Sequence, residues 1–310
     1  MRNKVVPILY TWDVDPVSKL EYSIRSLDSS ITPETHYCNS LERSLDFCKD
    51  LEIKSTFFFT ARPTLNNADI VKEIQGEGHT IGCHGLTHSS SEEFDKLSLK
   101  NQYVRIKEAT NILHEVTGVQ VRHFRSPRVK ISRSTLHVLQ KLGYYTDSSV
   151  CSQRADLFSS NLFNLDWIKA PRNIYYPSHK NPFTSGNMSV LEIPISALLL
   201  PFISGSLSIF GIGFMKFLFQ ILYRESIKTG KPIVFLNHPI EFLSKKKVSD
   251  SEKVIADKNI HGSSFRWKLF DKDGEKFYKK NLALFNFIKT FPNIQFMNYD
   301  QYYTFLNENA

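Results

Sequence analysis

Cysteine is scarce in this sequence, and its spacing does not fit a cysteine-based metal site. The 310 residues include four cysteines, Cys38, Cys48, Cys83 and Cys151, and no two of them have the Cys-x-x-Cys spacing of structural zinc sites. Cys83 directly precedes a histidine and could be a metal ligand or a site of oxidation. Because free cysteines are among the most buried residues, we predict that Cys83 is a buried free thiol.

Linkers, repeats and targeting segments are also missing. No Pro/Ser-rich stretch or internal repeat divides the chain, and a hydrophobic content of 41% is enough to bury a large core. No charged and then apolar leader precedes the first apolar run. The net charge of +8 is not accompanied by a nucleic-acid-binding module or a stripe of interleaved basic and aromatic residues. These absences predict a single-domain cytoplasmic protein with no nucleic-acid partner.

Short apolar runs alternate with longer amphipathic segments along the chain, as in α/β proteins. The predicted strands are residues 5–11, 55–60, 79–83, 121–125, 143–147, 190–195, 232–237 and 293–297. The predicted helices are residues 39–52, 66–76, 98–117, 132–142, 214–229 and 275–290. Elements in this order can build an irregular (β/α) barrel.

Two histidines, His84 and His88, stand four residues apart directly after a predicted strand. Neutral imidazole is a good ligand for zinc and similar divalent ions. Histidines at this spacing also occur by chance on helix faces, where they serve as surface or packing residues. A catalytic zinc site needs a third protein ligand and keeps one position open for water.

Two carboxylates, Asp13 and Asp15, follow the first apolar run and precede Pro16. Side chains at positions i and i+2 of a strand point to the same side, so both carboxylates can face one site. The alternative is an Asp-x-Asp-Pro turn that only ends the strand.

Three further predicted strands end in polar side chains, namely Arg125, Asp147 and His238. Each alone is weak evidence, because an Arg beside Pro is usually on the surface and Asp-Ser-Ser is most often a turn. Together, five of the eight predicted strands end in Asp, His, Arg, Asp and His, in chain order. Catalytic groups of β/α barrels gather at the carboxyl ends of the strands, so this series predicts one active site.

The order and spacing of these segments resemble the five motifs of the polysaccharide deacetylase family, the NodB-homology domain of carbohydrate esterase family four. The matching segments are residues 11–15, 84–88, 125–128, 147–149 and 236–238, with supporting matches at 55–59 and 78–82. The resemblance covers about residues 5–242. The Tyr-x-Asp-Ser-Ser and His-Pro-x-Glu forms look closest to the branch associated with exopolysaccharide and surface-glycan biosynthesis.

The resemblance implies a role for each motif residue. Asp15, His84 and His88 would hold a divalent metal, Zn²⁺ in the first place, with Co²⁺, Ni²⁺ or Mn²⁺ as alternatives. Asp13 would be the general base and Arg125 would hold its charge. His238 would be the general acid that protonates the leaving amine, and Asp147 would orient it. In the family, the backbone amide after the proline of the third motif, here Pro127, helps to bind the oxyanion.

Two departures from the family pattern leave alternatives open. The usual adjacent Asp-Asp has become Asp13-Val14-Asp15, so the base and the ligand could be exchanged between Asp13 and Asp15. Arg128 replaces a tyrosine that often lines the sugar cleft, and a guanidinium could equally favour an acidic or phosphorylated substrate.

The function implied by the resemblance is metal-dependent removal of an N-acetyl group from an amino sugar in a glycan or a lipid-linked glycan. A deformylase or cyclic-amide hydrolase on the same scaffold is the first alternative, and a non-catalytic glycan-binding protein is the second. We expect a catalytic barrel over residues 1–243, a polar insertion or lid over 244–274, and a helix-strand-helix segment over 275–310 that completes the barrel.

The segment 197–222 is almost uncharged and long enough to span a bilayer, with Lys216 as its one charged residue. A membrane helix there would split the fold, so the sequence favours a barrel helix with an apolar loop. The alternative is a surface that touches lipid. The basic cluster Lys245, Lys246 and Lys247, with the positive net charge, would suit peripheral contact with an anionic membrane face.

Overall fold

Parallel strands and helices alternate in the computed structural model, which describes residues 5–18, 27–153, 165–243 and 273–309. The strands are β1 (Val6–Val14), β2 (Thr56–Phe59), β3 (Thr80–Cys83), β4 (His123–Phe124), β5 (Thr146–Asp147), β6 (Leu191–Glu192), β7 (Ala197–Leu198), β8 (Leu200–Pro201), β9 (Ile233–Asn237) and β10 (Ile294–Phe296). The helices are α1 (Pro33–Asp50), α2 (Ala61–Thr64), α3 (Ala68–Gly76), α4 (Leu99–Thr117), α5 (Arg133–Lys141), α6 (Leu165–Lys169), α7 (Ser204–Thr229), α8 (Gly274–Lys289) and α9 (Tyr299–Glu308).

The main sheet is parallel and centres on β1, which pairs with β2, β9 and β10. From β2 the sheet continues through β3, β4 and β5 to β6. The segment after β6 returns to β9, where the Ser196 N–H bonds the Val234 carbonyl and the Ser196 hydroxyl accepts from the Val234 N–H. These bonds join the two ends of the curled sheet, so the predicted irregular (β/α) barrel is confirmed.

All eight predicted strands are present, but their lengths differ from expectation. Strands β4, β5 and β6 have two residues each, because the chain leaves the sheet early to form the loops of the site. Strand β1 continues to Val14, beyond the predicted end at residue 11. Its polar side chains form hydrogen bonds inside the barrel; the Thr11 hydroxyl, for example, donates to the Phe235 carbonyl.

Alternate residues of β1 face two different cores. Tyr10 and Trp12 pack under the helices, against aromatic side chains such as Phe47. Leu9 belongs to a second cluster inside the barrel, which includes Tyr299 of α9. The same alternation turns Thr11 and Asp13 into the barrel interior, so the strand carries the Asp13 carboxylate directly into the site.

Helix α7 is longer than predicted because it begins at Ser204 and continues through a bend at Gly211, whose φ is 78°. By length and composition, it is the one helix in the described part of the chain that could cross a membrane. It lies in the barrel wall against β9 and α8, as the sequence favours. Residues 244–272, which include Lys245, Lys246 and Lys247 and most of the predicted insertion, lie outside the described residues.

Substitution of Gly82 by alanine should destabilise the barrel. A Cβ atom at Gly82 would lie 2.5 Å from the Phe58 ring and 3.2 Å from the His123 carbonyl oxygen. Overpacking of this kind costs about 1–3 kcal/mol of unfolding free energy, which urea denaturation would measure. Gly76→Ala is the matched control: nothing lies within 4 Å of its added Cβ, so its stability should be equal or up to about 1 kcal/mol higher. Equal losses in both variants would contradict the packing described.

Candidate metal centre and active site

Asp15, His84 and His88 converge at the carboxyl ends of β1 and β3. Their ligand atoms lie within 4.8 Å of one another, and Asp15 Oδ1 is 3.4 Å from His84 Nε2 and 3.5 Å from His88 Nε2. Asp15 Oδ1 is buried and has no hydrogen-bond partner among the described residues. A buried carboxylate oxygen facing two ring nitrogens is the donor set of a catalytic zinc site, so the three residues fit a divalent metal.

The surroundings favour the protonation states that bind metal. His84 Nδ1 lies 2.8 Å from the Arg125 carbonyl oxygen; a proton on Nδ1 donates to this oxygen and leaves the Nε2 lone pair directed at Asp15. Burial lowers the pKa of His88 and so favours neutral imidazole. Burial acts to raise the pKa of Asp15, but His88 and His84 hold it below its usual value. The adjacent Cys83 is a buried free thiol, as predicted.

Asp13 lies beside this trio and is held by Arg125. Arg125 Nη1 donates to Asp13 Oδ1 over 2.8 Å, while Asp13 Oδ2 lies 3.9 Å from His84 Nε2. Arg125 is fully buried, and the remaining donors bond the Thr11 hydroxyl and the Ser148 hydroxyl and carbonyl. Burial opposes the charged guanidinium, but Asp13 raises the pKa of Arg125 overall. The Asp13 carboxylate is therefore fixed in position.

His238 approaches the site from β9, on the side of the other Asp15 oxygen. Its Nε2 lies 3.9 Å from Asp15 Oδ2, and its Nδ1 lies 3.7 Å from Glu241 Oε2. The His238 N–H also donates to Glu241 Oε2. Burial opposes protonation, but the bond to Glu241 and the nearby carboxylates raise the pKa of His238 to about 9. His238 can thus carry a proton at neutral pH.

The family resemblance assigns Asp147 to orient His238, a role that stays a prediction; in the structure Glu241 contacts this histidine. Asp147 accepts a hydrogen bond from the Ser149 hydroxyl and is paired with Glu192. Burial raises the pKa of Asp147 to about 6, and burial together with the charge of Asp147 raises the pKa of Glu192 well above its usual value. Two buried carboxyl groups in contact share a proton because both cannot ionise.

Arg128 contacts an acid of the protein. Its Nη1 lies 3.1 Å from Glu93 Oε1, and Glu93 also pairs with Lys96 and Lys130. Pro127, the preceding residue, packs against Gly85, where an added Cβ would lie 2.8 Å from Pro127 Cγ. The turn at Pro127, which belongs to the third motif, therefore packs against the loop between His84 and His88. The proposed role of Arg128 in substrate choice stays a prediction.

Glu92 is a site residue that sequence reasoning missed. Its Oε1 accepts from the Leu86 N–H, and its Oε2 accepts from the N–H groups of Thr87 and His88 and from the Thr87 hydroxyl, all at 2.6–2.8 Å. His88 has a φ of 55°, in the left-handed region that is costly for a residue with a side chain. Glu92 compensates by fixing the loop. The sequence shows two adjacent glutamates, Glu92 and Glu93, with no sign of which one is buried.

The Glu192→Gln variant should lose less stability at alkaline pH than the wild type. The raised pKa of Glu192 means that the folded protein holds a proton which the unfolded chain releases, so wild-type stability falls as the pH rises from the ordinary carboxyl range through neutrality. Glutamine cannot titrate and can donate to Asp147. Urea denaturation across this range measures the difference, with exposed Glu115→Gln as control. Parallel curves for all three proteins would contradict the shared proton.

Comparison with known proteins relates the chain to glycan deacetylases. Residues 29–146 match the family described as polysaccharide deacetylase; this range contains His84, His88 and Arg125. The chain is 30% identical over 115 residues to YheN of Bacillus subtilis (strain 168), which carries a polysaccharide deacetylase name, with 36% of this chain and 40% of that protein covered. It is also 30% identical over 92 residues to a peptidoglycan-N-acetylglucosamine deacetylase of Bacillus cereus, covering 30% and 32%.

The chain therefore spans less than half the length of these curated relatives. Among solved structures, an allantoinase aligns over 96% of this chain and 89% of its own, with a TM-score of 0.62 and 12% identity, which shows the shared fold. The matched sequence segment and the two relatives point to the same family as the five sequence motifs. Over the matched segment, the chain is similar to the polysaccharide deacetylase family and to these two partial relatives.

Proposed function

We propose that this protein is a metal-dependent hydrolase that removes an N-acetyl group from an amino sugar of a glycan. One observation carries the proposal. The carboxylate of Asp13 and the imidazole of His238 both lie beside the trio Asp15, His84 and His88, with Asp13 Oδ2 3.9 Å from His84 Nε2 and His238 Nε2 3.9 Å from Asp15 Oδ2. Amide hydrolysis needs a base on one side of the carbonyl and an acid on the other.

The metal is proposed to be Zn²⁺, since two imidazoles and one carboxylate form its usual catalytic ligand set. When bound, it would polarise the acetamide carbonyl and increase the acidity of water in the site. Asp15 is the better third ligand because its Oδ1 has no hydrogen-bond partner in the part of the chain that the structure describes, whereas Asp13 Oδ1 already accepts from Arg125.

The protein supplies the two proton transfers. Asp13 takes a proton from the attacking water as the water oxygen bonds to the carbonyl carbon. The C–N bond then breaks, and His238 donates a proton to the departing amine, which is a poor leaving group until it is protonated. Arg125 keeps Asp13 in place, and Glu241 keeps His238 protonated and oriented. The products are acetate and a free amino sugar.

The substrate class rests on the family and on the relative named for peptidoglycan N-acetylglucosamine. A surface glycan is the proposed substrate, in line with the family branch that the fourth and fifth motifs resemble. The shared fold of an allantoinase keeps cyclic-amide hydrolysis as the alternative reaction. Acetate release from N-acetylated oligosaccharides, with no turnover of cyclic ureides or formylated amino sugars, would support the deacetylase.

The two aspartates should separate metal binding from turnover. Asp15→Asn and His84→Ala remove ligands and should abolish stoichiometric zinc. Asp13→Asn should keep its zinc but lose at least about 100-fold in the rate of acetate release, because the base is missing. His238→Ala should behave like Asp13→Asn. Elemental analysis and an acetate assay on the same samples measure both properties.

Asp69→Asn, an exposed aspartate of α3, is the control and should match the wild type in both assays. Loss of zinc in Asp13→Asn with retention in Asp15→Asn would reverse the two assignments. Wild-type protein without measurable metal affinity would instead favour a non-catalytic glycan-binding protein.

Glu92→Gln should weaken zinc binding about 10- to 100-fold, the usual effect of removing a residue that holds a metal ligand. Glutamine has one acceptor oxygen where the loop requires two. Glu93→Gln is the control, because Glu93 contacts cationic side chains and not the loop backbone. If Glu92 acts through His88, its substitution in a His88→Ala background should change zinc affinity little further. Additive losses in calorimetric titrations would contradict this coupling.

A further inference from the structure

Helices α7 and α8 both begin on the face of the barrel that carries the metal centre. In a parallel barrel, a helix that leads into the next strand starts at the carboxyl edge of the sheet. Helix α7 leads into β9 and α8 leads into β10. Their first turns, together with the β7–β8 hairpin, therefore form part of the rim around the site.

The outer surface of this rim is apolar where a soluble protein would be polar. Leu199, at the hairpin tip, is 67% exposed, and Phe217 and Phe210 of α7 are 59% and 37% exposed. Ile212 and Phe214 between them are partly exposed. A helix that is apolar on its outer as well as its inner face normally lies inside a core or against lipid. In the most apolar 18-residue stretch of α7, only 33% of the residues are buried.

Lysines of α8 lie directly beside this apolar surface. Lys276, Lys279 and Lys280 line one groove together with Ile212 of α7, and Lys216 of α7 lies over the Phe287 ring of α8. The first two turns of α8 thus place three lysines on the rim next to Ile212 of α7.

Two acidic residues of the same groove are already engaged by the protein. Glu275 pairs with Arg43 and with Lys279. Asp273 caps α8 by accepting from the Lys276 N–H. Among the described residues that line this groove, three lysines outnumber the two acidic residues, Asp273 and Glu275.

We infer that this rim, formed by Leu199, α7 from Ser204 to Phe217 and the first turns of α8, docks on an anionic membrane surface. Exposed phenylalanine and leucine flanked by lysine is the pattern of interfacial helices, which insert the apolar side chains between lipids and pair the lysines with anionic head groups. A second copy of the chain fits less well, because a two-fold interface would bring the same lysines together.

Docking on this rim turns the metal centre toward the lipid head groups. On the proposed function, the glycan substrate is then one held at the membrane, such as a lipid-linked sugar chain. The docking itself does not depend on that reaction and is tested without substrate.

Co-sedimentation of the full chain with vesicles of phosphatidylcholine, with and without 30% phosphatidylglycerol by composition, tests the inference. Binding should require the anionic lipid and weaken as salt is raised. Two double variants test these contributions: Phe210→Gln/Phe217→Gln removes apolar insertion, and Lys276→Glu/Lys279→Glu removes attraction to anionic head groups. Each should bind vesicles at least about tenfold more weakly than the wild type. Circular dichroism should show both variants folded, because the altered side chains are exposed.

Val104→Gln and Lys72→Glu are the matched controls. Val104 is 52% exposed on α4 and Lys72 is exposed on α3, so neither change should alter vesicle binding. Rim variants should also keep wild-type zinc affinity and acetate release from a soluble oligosaccharide, which separates this test from that of the reaction.

Three results would overturn the inference. The first is no binding to anionic vesicles at low salt. The second is equal binding by the rim variants and the wild type. The third is a dimer in solution that the phenylalanine variant converts to monomer without any vesicle binding, which would assign the rim to a second copy.

Discussion

The buried guanidinium of Arg125 is the interaction on which the site depends. A charge inside a protein is costly unless it is paired and fully hydrogen-bonded. Arg125 meets both conditions through Asp13, Thr11 and Ser148, with the Phe58 ring 4.3 Å away. Removal of any of these partners would leave buried charge or buried donors uncompensated. The strands β1, β4 and β5 are therefore held in one arrangement, and that arrangement places Asp13 beside the metal ligands.

The two aspartates of β1 show how position separates the roles of identical groups. Asp13 lies within the strand, faces the barrel interior and is held by Arg125. Asp15 lies just beyond the strand end, where its Oδ1 faces the Nε2 atoms of His84 and His88. The charge-assisted bond from Arg125 holds Asp13 in the position of a base, whereas the Asp15 oxygen that faces the histidines suits a metal ligand. The insertion of Val14 between the two carboxylates makes this division possible, because both side chains point to the same side.

The sequence predicts the residues whose chemistry shows in spacing, and misses those whose role depends on three-dimensional contacts. His84 and His88 are visible as a pair after a strand, and the alternation of elements predicts the barrel. Glu92 was missed because its partners are backbone N–H groups of a loop whose conformation the sequence does not reveal. Glu241 was visible only as part of a motif, and the contact of its carboxylate with His238 depends on the turn that follows β9.

The central claim is that one divalent cation binds between Asp15, His84 and His88. Crystals grown with zinc and measured at its absorption edge test it most directly. The account predicts a single strong anomalous peak at about 2.0–2.2 Å from one Asp15 oxygen and one nitrogen of each histidine. A peak bonded to Asp13 in place of Asp15, or no peak between the two imidazoles, would contradict it.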